Sequence, residues 1–350
     1  MITSTGSSAV ESRAPVRIND LGGWTDTWFS GHGRVLSVAV SPGVDCRLAW
    51  TTSRPPRRKA FTIDVRDFGE RYSFNPDNPD LGRHPLLEAT VASMNVPRDV
   101  AAEAVISSRI PAGCGTGTSA AVTVALIGAL DAMTEKRLDR ESVWKAAHRV
   151  ETERLGWESG IQDQVCATYG GVCFIDIHQY PDASVSRLEL NQAFIEELEK
   201  RLVLVYLGTA HKSTDVHKAV IQKLVAEGSG SAHLAALREF PSMGRKALAD
   251  GDLFRYGNLM IENTECQRSL HPRIISPEAD SAIETARGRG AIGWKVNGAG
   301  GTGGSLTVLA GEETSSIEGM IERLSSSGGG VRVIPVRIDH EGLRVKKTSF

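Results

Sequence analysis

The chain has 350 residues, of which 41% are hydrophobic and 23% are charged, and its formal net charge is −2. This length is enough for a sizeable core and predicts two domains, which we place at residues 1–195 and 196–350. The near-neutral charge offers no basic surface for nucleic acid or for an anionic membrane, so the expected partner is a small molecule.

The cysteines and the apolar segments predict a cytoplasmic protein. The five cysteines are an odd number without a Cys-x-x-Cys pair, which argues against a disulfide scaffold and against a structural zinc site. The longest apolar stretch, residues 120–130, is shorter than the roughly 20 residues that span a bilayer. Residues 1–10 lack the basic and apolar regions of a secretory signal.

The first half of the chain is predicted to open as a β-sheet. Residues 1–12 are small and polar, and we expect them to fray. Beyond them, β-branched and alternating segments predict strands, and apolar residues at helical spacing predict helices. The predicted strands begin at residue 13 and cover 35–40, 44–50, 60–65, 71–74, 102–110 and 172–177, and the predicted helices cover 85–94, 120–130 and 140–155.

The second half of the chain predicts another mixed domain. It begins with a continuous apolar strand, and a series of helices separates this strand from the next one. The predicted strands are 202–207, 306–310 and 331–336, and the predicted helices are 215–226, 232–249, 252–270, 277–289 and 316–324.

A glycine-rich loop at the centre of the chain predicts a phosphate-binding site. Gly113, Gly115 and Gly117 alternate with other residues, and hydroxyl residues then lead into an alanine-rich helix. The first N–H groups of a helix have no partner inside it and the helix dipole makes that end positive, so an anion is favoured there. The loop is neither a Walker loop nor a dinucleotide-binding loop. Taken alone, it could equally be a turn before a core helix.

Two further glycine-bearing stretches decide between these interpretations. Residues 13–27 end in an acidic Gly-Gly-Trp-Thr-Asp turn, and residues 293–305 contain Gly-Ala-Gly-Gly. Together with the central Pro-x-x-x-Gly-x-Gly-x-Ser-Ala-Ala loop, they resemble the three signature motifs of the GHMP kinases, in order and over nearly the whole chain. The first stretch, and Gln-Asp-Gln at 162–164, look most like the L-fucokinase and D-glycero-D-manno-heptose 7-phosphate kinase branch.

The resemblance implies a two-domain α+β fold. An N-terminal domain like domain 2 of ribosomal protein S5 would precede a ferredoxin-like C-terminal domain, with the active site between them. The resemblance also implies ATP and Mg²⁺ as cofactors and a sugar or sugar phosphate as partner. The phosphorylated group would be a sugar hydroxyl, such as the anomeric C1 hydroxyl of a fucose-like sugar or of heptose 7-phosphate. The oligomeric state is left open by the sequence, with a homodimer as one option.

The resemblance assigns roles to individual residues. Asp163 matches the catalytic aspartate, which would act as the base, and Arg17 matches the basic residue near the transferred phosphate. Asp26 matches the aspartate that hydrogen-bonds sugar hydroxyls. The other residues expected to contact the substrate are Gly23, Trp24, Thr25 and His211.

The cofactor contacts are implied in the same way. Ser119 matches the serine that reaches the metal, and Glu151 matches the glutamate that completes the metal site, although Glu153 is close enough in sequence to be an alternative. One hydroxyl and one carboxylate suffice for Mg²⁺, because this ion keeps waters and shares the ATP phosphates. The expected ATP contacts are Pro111, Gly113, Cys114, Gly115, Thr116, Gly117, Thr118, Ser119, Ala120 and Gly300.

Two other functions stay open at this level. A GHMP kinase for a non-sugar alcohol or an inositol is disfavoured by the Gly-Gly-Trp-Thr-Asp turn. A non-catalytic regulatory relative that binds sugar or ATP is disfavoured by the presence of Asp163, Arg17 and Ser119. The chain also carries His211 and Lys212 where relatives often have an arginine, which weakens the transfer of an exact substrate but not the prediction of a kinase.

Overall fold

The computed structural model describes residues 7–52, 60–97, 99–209, 214–326 and 328–348. In these ranges the chain forms a nine-stranded sheet and a four-stranded sheet, with helices packed against both. The predicted α+β class is confirmed.

The first sheet is built on two long antiparallel strands. These are β1 (Ser7–Leu21) and β2 (Gly33–Thr52), which pair over most of their length with register shifts after Ala14 and Ile18. The shorter strands of this sheet are β3 (Ala60–Val65), β4 (Glu70–Phe74), β5 (Val100–Ser108), β6 (Val172–Gln179), β7 (Asp182–Arg187), β12 (Arg337–Ile338) and β13 (Arg344–Thr348).

The strand order brings the chain termini into this first sheet. The main path is β13-β1-β2-β5-β3-β4; β6 and β12 also pair with β2, and β7 pairs with β6. β3 runs parallel to β5, whereas the other pairs are antiparallel. The loop that follows β5 leads to the glycine-rich segment, where the Thr116 carbonyl accepts from the backbone N–H of Arg17 in β1 at 2.9 Å.

An apolar helix forms the centre of the first half. α2 (Thr118–Thr134) has a continuous buried run from Thr123 to Leu130, as expected for a helix surrounded by other elements. A π-helical turn, Val150–Arg154, extends the C-terminal end of α3 (Arg140–Arg149). The other helices here are α1 (Pro85–Ser93), α4 (Gln162–Tyr169) and α5 (Gln192–Arg201).

The second sheet has the ferredoxin-like strand order. Its strands are β8 (Leu202–Leu207), β9 (Gly293–Val296), β10 (Ser305–Leu309) and β11 (Val331–Ile334), arranged as β11-β8-β10-β9 with antiparallel pairs. The helices are α6 (Thr214–Glu227), α7 (Ala232–Ala249), α8 (Leu253–Leu270), α9 (Pro277–Arg287) and α10 (Thr314–Ser325).

The structure corrects the expectation for the N-terminal residues. We expected residues 1–12 to fray, but β1 begins at Ser7 and Ala9 already pairs with partners on both sides. β12 and β13 then return from the second half of the sequence to β2 and β1. The boundary at 195/196 stays a prediction, and we propose that the first domain also includes these last strands.

Other elements were absent from the sequence prediction. α4, α5 and β7 were not anticipated. Within the ranges that the structure describes, no helix combines the length and the apolar character needed to cross a bilayer. All five cysteines are free thiols, in agreement with the expectation of no disulfide scaffold.

Candidate active site

The glycine-rich loop leads directly into the N-terminus of α2. Gly113, Gly115 and Gly117 have φ angles of 70°, 74° and 72°, in the left-handed region that favours glycine. α2 begins at the next residue, Thr118, so its first N–H groups border the loop. A loop with this geometry at the start of a long helix suits a phosphate group.

The third glycine-bearing stretch packs against this loop through Gly298. A Cβ atom on Gly298 would lie 3.0 Å from the Gly115 carbonyl oxygen, and one on Gly115 would lie 3.2 Å from the Asn297 carbonyl oxygen. Gly300, which we expected to contact ATP, packs instead against the backbone of Ile274. The contact between the two loops therefore depends on Gly115 and Gly298.

Arg17 connects three segments of the site. Its Nε donates to Asp163 Oδ1 at 2.7 Å, its Nη1 donates to the Gly115 carbonyl at 2.7 Å, and the same Nη1 lies 3.6 Å from Asp20 Oδ1. Burial alone would lower the pKa of this guanidinium, but the carboxylates of Asp163 and Asp20 outweigh burial and raise the pKa. Arg17 therefore stays charged and holds Asp163 against the loop.

Asp163 lies between the glycine-rich loop at residues 113–117, called the phosphate loop below, and a small cavity. It is the second residue of α4, and its side chain is 25% exposed. A Cβ atom on Gly117 would lie 2.8 Å from Asp163 Cγ, so only glycine leaves room for this carboxylate beside the loop. An alcohol in the cavity could therefore give its proton to Asp163 close to a phosphate in the loop.

The small cavity, called the substrate cavity below, has a volume of about 150 Å³. Asp26 in its wall is buried and accepts a hydrogen bond from the Gln162 backbone N–H at 3.0 Å. Burial raises the pKa of Asp26 to about 6. The Trp24 ring packs against the His217 ring at 5.2 Å. The lining residues are Arg17, Asp20, Trp24, Asp26, Thr27, Glu158, Ser159, Gly160, Gln162, Asp163, His217, Gly298 and Ala299.

Two of the residues expected to bind substrate support the turn and do not line this cavity. Thr25 Oγ1 lies 2.8 Å from the carbonyl oxygens of both Gly22 and Arg34. A Cβ atom on Gly23 would lie 2.7 Å from Asp20 Oδ2, so Gly23 makes room for that side chain. His211 lies outside the described residues.

Asp20 is a buried carboxylate that the sequence analysis missed. Its Oδ1 accepts from the Gly298 backbone N–H at 3.1 Å and lies 3.5 Å from the Nζ atom of Lys295. Lys295 is fully buried, and its Nζ donates to Gln267 Oε1 at 2.8 Å. Burial lowers the pKa of Lys295 although Asp20 opposes this shift. One feature of the sequence could have identified Asp20, because it is a charged residue three positions after Arg17 in a buried strand.

Glu151 offers a carboxylate oxygen with no protein partner. It lies in the π-helical turn, and its Oε2 accepts from Ser159 Oγ at 2.6 Å and from Gln164 Nε2 at 2.8 Å. Its Oε1 is buried and has no hydrogen-bond partner among the described residues. Burial raises the pKa of Glu151 to about 7, although the hydrogen bonds from Ser159 and Gln164 and the nearby hydroxyl of Ser119 oppose this rise.

This orphaned oxygen fits a hard cation. Ser119 stands in the first turn of α2 beside Glu151, so a hydroxyl and a carboxylate converge next to the phosphate loop. Glu153, the sequence alternative, is exposed and lines a different cavity. The described chain holds no cluster of three or more acidic, histidine or cysteine side chains suited to a metal, so this pair would share a cation with a nucleotide.

A larger cavity of about 640 Å³ opens beside the phosphate loop, within the size range typical of small-molecule sites. Of the expected ATP contacts, Pro111, Gly113, Thr118 and Ser119 line it. Cys114, Thr116 and Ala120 are buried behind the loop and support it. The other lining residues are Val65, Asp67, Phe68, His84, Pro85, Leu86, Leu87, Ile106, Ser108, Arg109, Ile110, Ala112, Val122, Trp157 and Arg332.

Known kinases share this sequence pattern. Residues 86–171 match the GHMP kinases N terminal domain. The chain is 26% identical to the D-glycero-alpha-D-manno-heptose 7-phosphate kinase of Campylobacter jejuni over 300 residues, which are 84% of this chain and 87% of that protein. It is 30% identical to the mevalonate kinase of Thermococcus sibiricus over 248 residues, which are 69% of this chain and 68% of that one.

A plant relative and a solved structure extend the comparison. The chain is 25% identical to the bifunctional fucokinase/GDP-fucose pyrophosphorylase of Arabidopsis thaliana over 310 residues, which are 83% of this chain but 29% of that protein. A crystal structure of a D-glycero-D-manno-heptose 1-phosphate kinase from Bacteroides thetaiotaomicron has the same fold, with a TM-score of 0.75 and 20% identity over 97% of this chain and 100% of that one.

The matched family domain and the kinase relatives identify an ATP-dependent phosphotransferase. The chain belongs to the GHMP kinase family, and the sequence prediction of a kinase from this family is confirmed.

Proposed function

We propose that this protein transfers the γ-phosphoryl group of ATP to the anomeric C1 hydroxyl of a sugar, either a fucose-like sugar or a heptose phosphate. The observation that carries the proposal is the position of Asp163, which is ion-paired with Arg17 between the phosphate loop and the substrate cavity. Relatives named for heptose phosphate and for fucose support a sugar as the acceptor.

The chemistry follows from the placement of the side chains. The attacking hydroxyl gives its proton to Asp163 while its oxygen bonds to the γ-phosphorus and ADP leaves. Arg17 keeps Asp163 oriented and adds positive charge beside the loop. Asp26, whose pKa of about 6 leaves it largely ionised at neutral pH, accepts a hydrogen bond from another sugar hydroxyl.

Magnesium is part of this proposal. Ser119 and Glu151 would hold the ion together with the ATP phosphates, and its charge would offset the negative charge of those phosphates. The buried, unpartnered Oε1 of Glu151 supports this assignment, because a cation would satisfy it.

A non-sugar alcohol such as mevalonate is the second candidate, because a mevalonate kinase is a 30% identical relative. The charge of the substrate cavity argues against an anionic acceptor, so it disfavours mevalonate, which is a carboxylate, and among the sugars it favours the fucose-like sugar over the heptose phosphate. Among the described lining residues, Asp20, Asp26, Glu158 and Asp163 are acidic, and the guanidinium of Arg17 is already paired. A polyhydroxylated group fits these acceptors better than an anion does.

The test is an assay of ADP release over a panel of L-fucose, D-mannose, heptose 7-phosphate, galactose, mevalonate and an inositol. We expect strong turnover with one sugar, and phosphorus NMR should locate the new phosphate at C1. Turnover with mevalonate or the inositol alone would overturn the sugar assignment. ATP binding without turnover of any panel member would overturn the proposal for these substrates.

A further inference from the structure

A second cavity, called the tryptophan cavity here, lies beside the substrate cavity. Its volume is about 630 Å³, and it lies between α3 with its π-helical extension and the turn from β6 to β7. Its lining residues include the aromatic residues Trp28, Trp157 and Tyr180, with the buried Trp144 behind them. None of the proposed roles in phosphoryl transfer uses this cavity.

Two of these rings are exposed to an unusual degree. Trp28 is 47% exposed and Trp157 is 42% exposed, although large apolar side chains are normally buried. Polar groups hold two aromatic side chains of this wall, Trp28 and Tyr180, in place. The indole N–H of Trp28 donates to Glu158, and the Tyr180 hydroxyl donates to the Ser159 carbonyl at 3.0 Å. The cavity therefore presents fixed aromatic surface next to hydrogen-bonding groups.

The two cavities share one wall. Glu158 lines both, and the neighbouring Ser159 contacts the substrate cavity while its carbonyl holds Tyr180 of the tryptophan cavity. The substrate cavity, at about 150 Å³, is below the usual range of about 300–1,000 Å³ for ligand sites. The tryptophan cavity falls inside that range and is placed to receive the rest of a larger substrate.

The charges of the tryptophan cavity favour a neutral ligand. Lys145 and Arg149 are its lysine and arginine side chains, and Glu153, Glu158 and Asp182 are its carboxylates. The Lys145 ammonium already lies 2.8 Å from Glu141 and 3.2 Å from Asp182. A phosphate group would thus meet more negative than positive side chains. A sugar ring suits this wall, because its apolar face packs on indole and its hydroxyls bond to the polar groups.

We propose that the tryptophan cavity is a carbohydrate subsite that binds a second, neutral sugar unit of the substrate. The unit to be phosphorylated occupies the substrate cavity, with its anomeric hydroxyl at Asp163. The substrate class is then a neutral reducing disaccharide. This inference rests on the proposed sugar kinase function for its kinetic test, but the binding it requires can be measured without turnover.

The kinetic test compares the best monosaccharide of the panel with disaccharides that carry it as their reducing unit. We expect kcat/KM to be at least tenfold higher for one disaccharide. Thr152→Trp fills the tryptophan cavity and should remove this advantage while monosaccharide turnover stays within twofold. Thr285→Trp is the matched control, because both threonines are half-buried and bond to the carbonyl four residues earlier. Arg149→Trp, at an exposed lining position, replaces Thr152→Trp if that variant does not fold.

The binding test uses calorimetry with Asp163→Asn, which cannot consume the sugar. Saturable binding of a disaccharide, lost in the double variant with Thr152→Trp and kept with Thr285→Trp, supports the subsite even if no sugar is phosphorylated. That result without turnover would refute the proposed function alone. Equal kcat/KM for monosaccharide and disaccharides, together with binding unaffected by Thr152→Trp, would overturn the subsite.

Discussion

Asp163 and Glu151 are neighbouring carboxylates of the candidate site, but their surroundings are opposite. Asp163 has the Arg17 guanidinium at 2.7 Å and a partly exposed side chain. Glu151 is buried, the Ser159 and Gln164 side chains that donate to it are neutral, and one of its oxygens has no partner within the described chain. The counter-charge of Asp163 is therefore part of the protein, whereas that of Glu151 has to come with a ligand.

The pKa values follow the same division. Burial raises the pKa of Glu151 to about 7, and a carboxyl with a raised pKa stabilises the fold at low pH only. This contribution is present below the ordinary pKa of glutamate and is lost as the pH rises through 7. The shift of the Glu151 pKa from its ordinary value to about 7 corresponds to a loss of about 3 kcal/mol in the free energy of unfolding. A cation bound to Glu151 would recover it.

The largest effect is expected from Asp163→Asn. This variant removes the proton acceptor but keeps the shape of the side chain, so kcat should fall about 10²- to 10⁴-fold while the ATP affinity changes only a few-fold. Coupled ADP release and calorimetry measure the two quantities. Asp250→Asn on the surface of α7 is the control. Turnover near the unaltered level would rule out Asp163 as the base.

Glu151→Gln tests the carboxylate whose counter-charge has to come with a ligand. We expect the Mg²⁺ concentration for half-maximal activity to rise about 10- to 100-fold, because a charged ligand is lost. The metal-free variant should gain stability at pH 8, and its unfolding free energy should vary less between pH 5 and 8. Glu153→Gln, at the exposed neighbouring carboxylate, should change neither. An unchanged Mg²⁺ requirement in Glu151→Gln would refute the metal assignment.

Asp26→Asn should act on the sugar. Loss of a charged hydrogen-bond acceptor is expected to raise the KM for sugar about 10- to 100-fold, with a smaller effect on kcat. Because the pKa of Asp26 is about 6, the KM of the unaltered protein should fall as the pH rises from 5 to 7. The variant should show no such fall. A KM profile that is identical in both proteins would contradict this role.

The smallest effect is expected from Gly117→Ala. The added methyl would lie 2.8 Å from Asp163 Cγ and push the carboxylate away from Arg17, so kcat should fall about tenfold. Gly251→Ala is the matched control, since Gly251 has a φ of 74° but no atom within 4 Å of the added carbon. Both variants carry the strain of a positive φ, about 1–2 kcal/mol, and only Gly117→Ala should lose activity. Equal activity in the two variants would argue against this packing.

The phosphate loop could be predicted because its signal lies in consecutive residues. Glycines at alternate positions before an apolar helix already specify a left-handed loop and a free helix N-terminus. The Arg17–Asp163 pair joins positions 146 residues apart, so it could be expected only from the resemblance to a family.

Other contacts had no local signal. Asp20 and Gly298 are 278 residues apart. Neither segment carries a sequence pattern that predicts the hydrogen bond from the Gly298 backbone N–H to the Asp20 carboxylate. β13 is a mostly exposed edge strand with two lysines, a pattern that also suits a surface tail. The burial of Glu151 and its unpartnered oxygen depend on segments distant in sequence, so the sequence did not separate Glu151 from Glu153.

The last strand gives the chain a particular order of assembly. β13 pairs with the first strand, and a Cβ atom on Gly128 of α2 would lie 2.8 Å from a methyl group of Leu343, just before β13. The helix that carries the phosphate loop is thus covered by a segment that is synthesised long after it. A nascent chain that ends before β13 lacks this cover, so catalytic competence should not precede the synthesis of β13.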